Sequence, residues 1–246
     1  MAKAPLVTPR RRRRPRRSWR SVVLRLFLAA VLGVGVLLLG PLLAYRFVDP
    51  PATPLMVLRS FQGHGIDYRY RPLEELAVSL PRAVVAAEDN NFCLHHGVDW
   101  GAVETVVEEW RRSGRLRGAS TLTMQLVKNL VLWPRSEALP ALDGVRKLLE
   151  VPLALGMDAF YSKRRIMELY LNVVEFGPGI YGAAAAADGW FGRSPAVLSF
   201  AQSAALARQL PAPLARRPDD PNAAGRVATL RRRVAQLDRW RLSCWH

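Results

Sequence analysis

Residues 26–45, LFLAAVLGVGVLLLGPLLAY, form the longest apolar stretch of the chain and contain no charged side chain. A helix of about twenty residues spans roughly 30 Å, the thickness of the hydrocarbon core of a bilayer. Trp19 and Tyr45 lie at its two ends, where aromatic side chains favour the membrane interface. The pattern predicts an uncleaved membrane anchor. A cleaved signal peptide is the alternative, but its apolar region would be unusually long and no small-x-small cleavage site follows.

Beyond the anchor, apolar residues recur mainly at the three- and four-residue spacing of amphipathic α-helices. Residue types that favour helix N-termini precede five of these segments: Ser79, Asp99, Ser120, Ser162 and Ser199. A last, arginine-rich helix is expected at about residues 222–242. Residues 49–65 are rich in proline and predicted to be extended, and short β stretches are expected only near residues 54–70 and 173–181.

The segment WGAVETVVEEWRRSGRLR, which starts at Trp100, has an apolar stripe beside several arginines. Such a helix suits the interface of an anionic membrane. A helix that packs on the protein core is an equal alternative.

The whole pattern predicts a mainly α-helical protein with three parts: a tail at residues 1–20, a transmembrane anchor at 21–47 and a helical domain at 48–246. Half of the 246 residues are apolar, which suffices for one good-sized core.

The net charge of +16 is concentrated at the N-terminus. Residues 1–48 hold eleven Lys and Arg and no acid, so the remainder carries 36 − 11 = 25 cations against 20 acids. The large domain is therefore only mildly basic, which argues against a nucleic-acid partner. Because positively charged flanks stay on the cytoplasmic side, the domain is expected on the periplasmic side of the inner membrane. Two cysteines, Cys93 and Cys244, fit an exported protein, and whether they pair is open.

Residues 87–97, AEDNNFCLHHG, are compatible with a metal site, a thiol nucleophile or a catalytic carboxylate. Cys93, His95 and His96 are too close in sequence to complete a tetrahedral zinc site, and no second cluster accompanies them. A lone cysteine with apolar neighbours is more often inert packing than a nucleophile. These arguments favour the carboxylate.

Cations and a second acid recur downstream at helical spacing. Thr121, Gln125 and Lys128 share one helix face, and Arg146 and Glu150 are four residues apart. Lys163 follows Ser162 at a predicted helix start. Each pattern alone is typical of a solvated helix face. Together they favour a substrate with a phosphate group and a sugar hydroxyl.

Four stretches carry a resemblance to a known family: EDNNFCLHHGVD, GASTLTMQLVKN, RKLLE and KRRIMELYLNVVEFGPGIYGAAAAADGWFGR. They match, in order, the motifs of glycosyltransferase family 51, and over about residues 75–215 the chain resembles the monofunctional biosynthetic peptidoglycan transglycosylases. We refer to them as the first to fourth motifs. No transpeptidase-like segment follows them.

The resemblance implies a lysozyme-like helical fold and a defined reaction. A lipid-pyrophosphate-linked glycan chain is joined to the sugar 4-hydroxyl of lipid II, a β-1,4 linkage forms and polyprenyl pyrophosphate leaves. It implies Glu88 as the general base and Glu150 as a second carboxylate near the pyrophosphate. The substrate-binding residues that it implies are Ser120, Thr121, Gln125, Lys128, Arg135, Arg146 and Lys163.

The implied partners are lipid II, the growing lipid-linked glycan chain and the inner membrane, and cell-wall synthesis proteins are candidate partners. No metal site and no required cofactor are expected, while assistance by a divalent cation at the pyrophosphate is left open. Two alternatives compete. A lysozyme-like glycan-cleaving enzyme needs no cluster of phosphate-binding cations, and a membrane-anchored scaffold gives no reason for two acids among such cations.

Overall fold

The computed structural model describes residues 19–114, 118–134, 140–220, 224–237 and 239–245. As predicted, the described chain is mainly α-helical. Its α-helices are α1 (Trp19–Ala44), α2 (Pro54–Phe61), α3 (Ser79–Glu88), α4 (Trp100–Ser113), α5 (Leu122–Val131), α6 (Pro140–Phe160), α7 (Lys163–Val173), α8 (Gly182–Phe191), α9 (Phe200–Gln209) and α10 (Ala224–Gln236). Its strands are β1 (Asp67–Tyr68), β2 (Glu175–Gly177) and β3 (Ile180–Tyr181).

The chain divides into two compact units, residues 1–40 and residues 41–246. The first contains most of α1, a helix whose length and apolar composition are sufficient to cross a membrane. Its large apolar side chains, such as Leu32 and Leu37, are exposed. Apolar exposure along a whole helix is what a bilayer, rather than water, would stabilise.

In the second unit, α5 packs against both α6 and α7, and α3 packs against α9. The core side of α5 is formed by Leu122, Leu126 and Val127, which are fully buried. Their spacing of four and five residues places them on one side of the helix, and the remaining side carries Gln125 and Lys128. The fold thus exposes one polar strip of an otherwise buried helix.

Helix starts follow the predicted caps in three places. The side chains of Asp99 and Ser162 accept hydrogen bonds from the first turns of α4 and α7, and Ser199 forms the predicted capping box with Gln202. Local side-chain chemistry therefore determines these boundaries.

Two predicted caps are wrong. Ser79 lies inside α3, where its hydroxyl is hydrogen-bonded to that of Ser203 at 2.8 Å. The cap of α5 is Thr121 and not Ser120: the Thr121 hydroxyl accepts from Met124 N and donates to the Gly97 carbonyl at 2.6 Å. The N-cap of α3 is Val78, which supplies no side-chain cap, whereas at α5 the bond to Gly97 favours Thr121 over Ser120.

The prediction of an extended segment over residues 49–65 is also wrong in part, because residues 54–61 form α2. Thr53 caps this helix by accepting from Met56 N at 3.3 Å, and Pro54 occupies the first turn, where a missing N–H costs nothing. Met56 is fully buried and attaches α2 to the core.

The β structure is as sparse as predicted. The three strands form one small sheet in the order β1-β3-β2, with β1 parallel and β2 antiparallel to β3. This sheet carries Glu175 and connects α7 to α8.

Helix α4 has no buried residue among those described, and Trp100 and Trp110 are more than half exposed. Of the two equal alternatives for this segment, the core-packed helix is therefore wrong. The alternative, a helix with an apolar stripe for a membrane interface, is consistent with this exposure.

The first motif is held to α6 by a close backbone approach at Gly97. Its φ of +78° is in the left-handed region, and a Cβ there would lie 2.4 Å from the Ala154 carbonyl oxygen. Only glycine satisfies both constraints. Because Thr121 also bonds to the Gly97 carbonyl, Gly97 joins the first motif to the second and to α6, the helix that carries the third.

Cys93 and Cys244 form a disulfide, which answers the question that the sequence left open. The bond joins the first motif to the chain terminus across a sequence separation of 151 residues. Trp245 packs beside Phe92, with ring centroids 6.2 Å apart. The terminal segment thus braces the loop that follows Glu88.

We expect the Cys93→Ser/Cys244→Ser double variant to be markedly less stable than the oxidised protein. Closing a loop of this length removes denatured-state entropy worth roughly 3–5 kcal/mol. Thermal unfolding of the detergent-solubilised chain, with and without reductant, measures the effect. Reductant should lower the Tm of the wild type and leave that of the double variant unchanged. Equal melting temperatures for the oxidised wild type and the double variant would contradict this expectation.

Candidate active site

A cleft of about 570 Å³ opens between α2, α5, α6, β2 and the segment 210–215. Five of the residues proposed from the sequence line it: Ser120, Gln125, Lys128, Arg146 and Glu150. Three further charged residues line the cleft and were not predicted from the sequence: Lys147, Arg59 and Glu175. The fold therefore gathers residues of the second, third and fourth motifs around one cavity.

Glu88 ends α3 and reaches this cleft through Gln125. Gln125 Nε2 donates to Glu88 Oε2 at 3.1 Å, and the Tyr170 hydroxyl donates to Gln125 Oε1 at 2.9 Å. Tyr170 is fully buried, so its hydroxyl has a defined position. This chain of bonds orients the Gln125 amide, which in turn orients the Glu88 carboxylate.

Burial raises the pKa of Glu88, and the Gln125 hydrogen bond and the positive charges of Arg216 and Lys128 oppose the rise only in part. A carboxylate with a raised pKa is a stronger base than an exposed one. Glu88 thus has the environment of a general base.

The neighbouring acid, Asp89, is used within the fold. It accepts a hydrogen bond from Leu122 N at 2.9 Å, and both of its oxygens lie 3.0 Å from His95 Nε2. Asp89 and His95 are both buried. They connect the end of α3 to the start of α5 and so position Glu88 relative to Gln125.

Glu150 is buried at the edge of the cleft and is bound by two cations. Arg146 Nη1 contacts Glu150 Oε1, and Lys147 Nζ lies 2.7 Å from Glu150 Oε2. Lys147 also donates to Ser120 Oγ at 2.7 Å. Glu150 therefore holds a pair of cations at the cleft wall, and its own charge is neutralised.

Lys128 is different from these cations. It is half-buried in the cleft, and no ion pair or hydrogen bond reaches its ammonium group from the residues that the structure describes. Burial lowers the pKa of Lys128, although the charges of Glu150 and Glu88 partly offset this. An unpaired, partly desolvated cation in a cavity favours binding of an anion.

Two residues proposed from the sequence lie elsewhere. Thr121 is buried and caps α5, so both of its hydrogen-bonding roles are taken within the fold. Lys163 is not among the cleft-lining residues: its ammonium lies 2.6 Å from Asp158 Oδ1 and over the ring of Phe92. Arg135 lies outside the described residues.

Lys147 is the cleft residue that the sequence could have revealed, because it is part of RKLLE and lies three residues before Glu150. Glu175 lies within the fourth motif but has no charged partner at helical spacing that would single it out, and Arg59 lies outside all four motifs. Cys93 is in a disulfide, which rules out a thiol nucleophile. Within the described ranges, no group of three or more His, Cys, Asp or Glu side chains could hold a metal ion.

The pH range over which kcat/KM is high should be narrower, at both its acid and its alkaline limit, than an exposed glutamate and an exposed lysine would give. Because the pKa of Glu88 is raised, this carboxylate becomes protonated at a pH above the ordinary glutamate pKa of 4.5. Because the pKa of Lys128 is lowered, its ammonium loses its proton at a pH below the ordinary lysine pKa of 10.5. Activity should therefore fall on acidification before an exposed glutamate would protonate. Lys128→Arg should extend the alkaline limb and leave the acid limb in place, since arginine stays charged. An acid limb below pH 4.5 would argue against Glu88 as the base.

The helical fold and this cleft, with a buried carboxylate near a cluster of cations, fit a glycosyl-transferring class of enzyme. A family profile described as transglycosylase matches residues 56–239. The chain is 45% identical over 202 residues to the biosynthetic peptidoglycan transglycosylase of Caulobacter vibrioides, covering 81% of this chain and 82% of that protein. The protein of the same name from Rhodospirillum centenum is 46% identical over 220 residues, 88% of this chain and 93% of that one. Another, from Xanthomonas campestris, is 41% identical over 237 residues, 92% and 90% of the two chains. This chain belongs to the transglycosylase family.

Proposed function

We propose that the protein is a peptidoglycan glycosyltransferase that polymerises glycan strands from lipid II. The observation that carries this proposal is the Lys128 ammonium, which has no ion-pair or hydrogen-bond partner among the described residues and lies in a cleft that it shares with Gln125, the residue bonded to Glu88. A base for a hydroxyl and a site for an anionic leaving group are thereby placed side by side. Transfer of a sugar from a pyrophosphate to a hydroxyl group needs both the base and the anion site.

In the proposed reaction, Glu88 accepts the proton of the 4-hydroxyl of lipid II. The resulting oxygen nucleophile attacks the anomeric carbon at the reducing end of the lipid-linked glycan chain. A β-1,4 C–O bond forms, and the bond from that carbon to the pyrophosphate oxygen breaks with its electron pair. Lys128, together with Arg146 and Lys147, stabilises the charge of the departing polyprenyl pyrophosphate.

The two carboxylates have different roles in this scheme. Glu150 is held by Arg146 and Lys147 and positions these cations, whereas Glu88 has no cation at hydrogen-bonding distance in the described chain. Ser120 and Gln125 supply neutral contacts. In this scheme Thr121 and Lys163 stabilise the fold around the cleft and do not line its surface. Arg135 is a further contact to the phosphate groups.

We further propose that residues 1–20 are cytoplasmic, that residues 21–47 anchor the protein in the inner membrane and that residues 48–246 lie in the periplasm. The N-terminal arginines and the apolar helix α1 support this orientation. The disulfide also supports an oxidising compartment. Protease added to spheroplasts should digest the large domain, and protection of that domain would contradict the orientation.

Polymerisation of purified lipid II by the detergent-solubilised full chain tests the proposed function. Formation of glycan polymer with release of polyprenyl pyrophosphate is the expected result. Cleavage of preformed glycan in place of polymer would favour the lysozyme-like alternative. Absence of polymer under conditions in which the protein is folded and binds lipid II would refute the proposal.

A further inference from the structure

Glu175 is a third carboxylate of the cleft, and its bonding differs from that of the other two. It begins β2, is 5% exposed and lines the same cavity as Lys128. Its nearest charged partner is Arg59, with Nε 3.5 Å from Glu175 Oε1. Neither of these two atoms has a hydrogen-bond partner among the described residues, and both are buried.

Such an arrangement is costly for the folded protein alone. A buried carboxylate oxygen without a hydrogen bond loses its hydration and gains little in return. Within the same site, Glu88 is bonded to Gln125 and Glu150 to two cations. Buried polar atoms left without partners are rare in native proteins and concentrate where a ligand or a water completes them. The Glu175 side chain is therefore short of hydrogen bonds at the wall of a substrate cleft, with Oε1 facing Arg59 and shielded from solvent.

The charges around Glu175 restrict what its partner can be. Burial raises the pKa of Glu175, and the positive charges of Arg59 and Lys128 oppose this rise and favour the ionised carboxylate, which accepts hydrogen bonds. A carboxylate repels phosphate and carboxyl groups, and it accepts hydrogen bonds from uncharged O–H and N–H groups. The anionic part of a substrate is therefore directed to Lys128, and an uncharged donor group is directed to Glu175.

We propose that Glu175, held by Arg59, binds the free hydroxyl or the acetamido N–H of the sugar that adjoins the pyrophosphate of the substrate. This inference rests on the proposed function, because it takes lipid-linked sugar as the ligand of the cleft. Arg59 belongs to α2, which begins ten residues after α1 ends. Glu175 and Arg59 would select for the sugar, whereas Lys128 selects for the charge.

The test measures binding rather than turnover. Fluorescent lipid II is titrated into the full chain carrying Glu88→Gln, which prevents consumption of the ligand. Two analogues are compared with it, both modified on the sugar that adjoins the pyrophosphate: one lacks the free hydroxyl of that sugar and the other has its acetamido nitrogen methylated. We expect Glu175→Ala to weaken binding of lipid II by about tenfold or more, as for loss of a hydrogen bond to a charged group. Glu175→Gln retains an acceptor oxygen, and its loss should be smaller.

The decisive readout is the coupling between the variant and the analogue. The chain with Glu175 intact should bind one of the analogues more weakly than lipid II. The Glu175→Ala variant should bind that analogue and lipid II with equal affinity. The analogue for which this difference in affinity disappears identifies the group that Glu175 binds, the hydroxyl or the N–H. A merely structural Glu175 would leave the discrimination unchanged, and that result would overturn the inference.

Asp188→Asn is the matched control. Asp188 forms an arginine ion pair with Arg69 at 2.9 Å but is more than half exposed and does not line the cleft. It should leave binding of all three ligands unchanged. Lipid II polymerisation by the wild type is measured in parallel, so that failure of the enzyme itself is distinguished from failure of the Glu175 contact alone.

Discussion

Glu88→Gln is expected to abolish glycan polymerisation while the protein stays folded and binds lipid II. Glutamine retains the size of the side chain and can still bond to Gln125, but it cannot accept the proton of the 4-hydroxyl. Loss of a general base lowers a rate by about 100-fold or more. The measurement is the initial rate of lipid II polymerisation by the detergent-solubilised chain.

Stability should not fall in this variant. Burial raises the pKa of Glu88, so the folded state binds the proton more tightly than the unfolded state. Ionisation at neutral pH is therefore a cost to the folded state, and a neutral amide removes that cost. The Tm of Glu88→Gln should equal or exceed that of the wild type. Glu75→Gln, at an exposed ion pair with Arg71, is the control for rate and Tm. Polymerisation by Glu88→Gln at a rate near that of the wild type would exclude Glu88 as the base.

Lys128→Met is expected to reduce kcat by about 100-fold or more, as for removal of one group that stabilises charge in a transition state. Methionine keeps most of the length of the side chain and removes only the positive charge. Because Lys128 has no partner among the described residues, no other charge is left unpaired. Initial rates at saturating lipid II, beside a thermal melt, measure both consequences.

Lys163→Met provides the contrast. Its ammonium lies 2.6 Å from Asp158, whose side chain is buried, so the substitution leaves a buried carboxylate short of a partner. We therefore expect a lower Tm for Lys163→Met and an unchanged or higher Tm for Lys128→Met. If Lys128→Met retains its kcat, the charge of the leaving group is stabilised by Arg146 and Lys147 without it.

Signals that act between near neighbours along the chain were sufficient for much of the fold. The uncharged run in α1 predicts a membrane-spanning helix by its length alone, and the caps at Asp99, Ser162 and Ser199 act within three residues. The same local reasoning failed at α2. There the prolines predict an extended chain, whereas Pro54 lies in the first turn of a helix that Thr53 caps and buried Met56 attaches to the core.

The sequence by itself also identified the residue types of the site, through motifs in which base, cations and amide occur in a known order. Glu88, Gln125 and Lys128 could be proposed in this way, and the structure brings the first two to 3.1 Å. The separation of Thr121 and Lys163 from the cleft could not be foreseen. Both are polar residues at helix starts, and only their tertiary partners, Gly97 and Asp158, show that their bonding capacity is taken.

Tertiary structure alone decided which polar groups lack a partner. A hydrogen bond or an ion pair forms over a few ångströms, and groups 37 or 151 residues apart, as for Glu88 with Gln125 and Cys93 with Cys244, become neighbours only after folding. The same holds for a missing partner. Nothing in the letters VVEFG distinguishes Glu175 from a solvated acid, because its burial and its unused oxygen arise from helices and strands that pack around it. Residue chemistry is local, but desolvation depends on everything within reach of the atom.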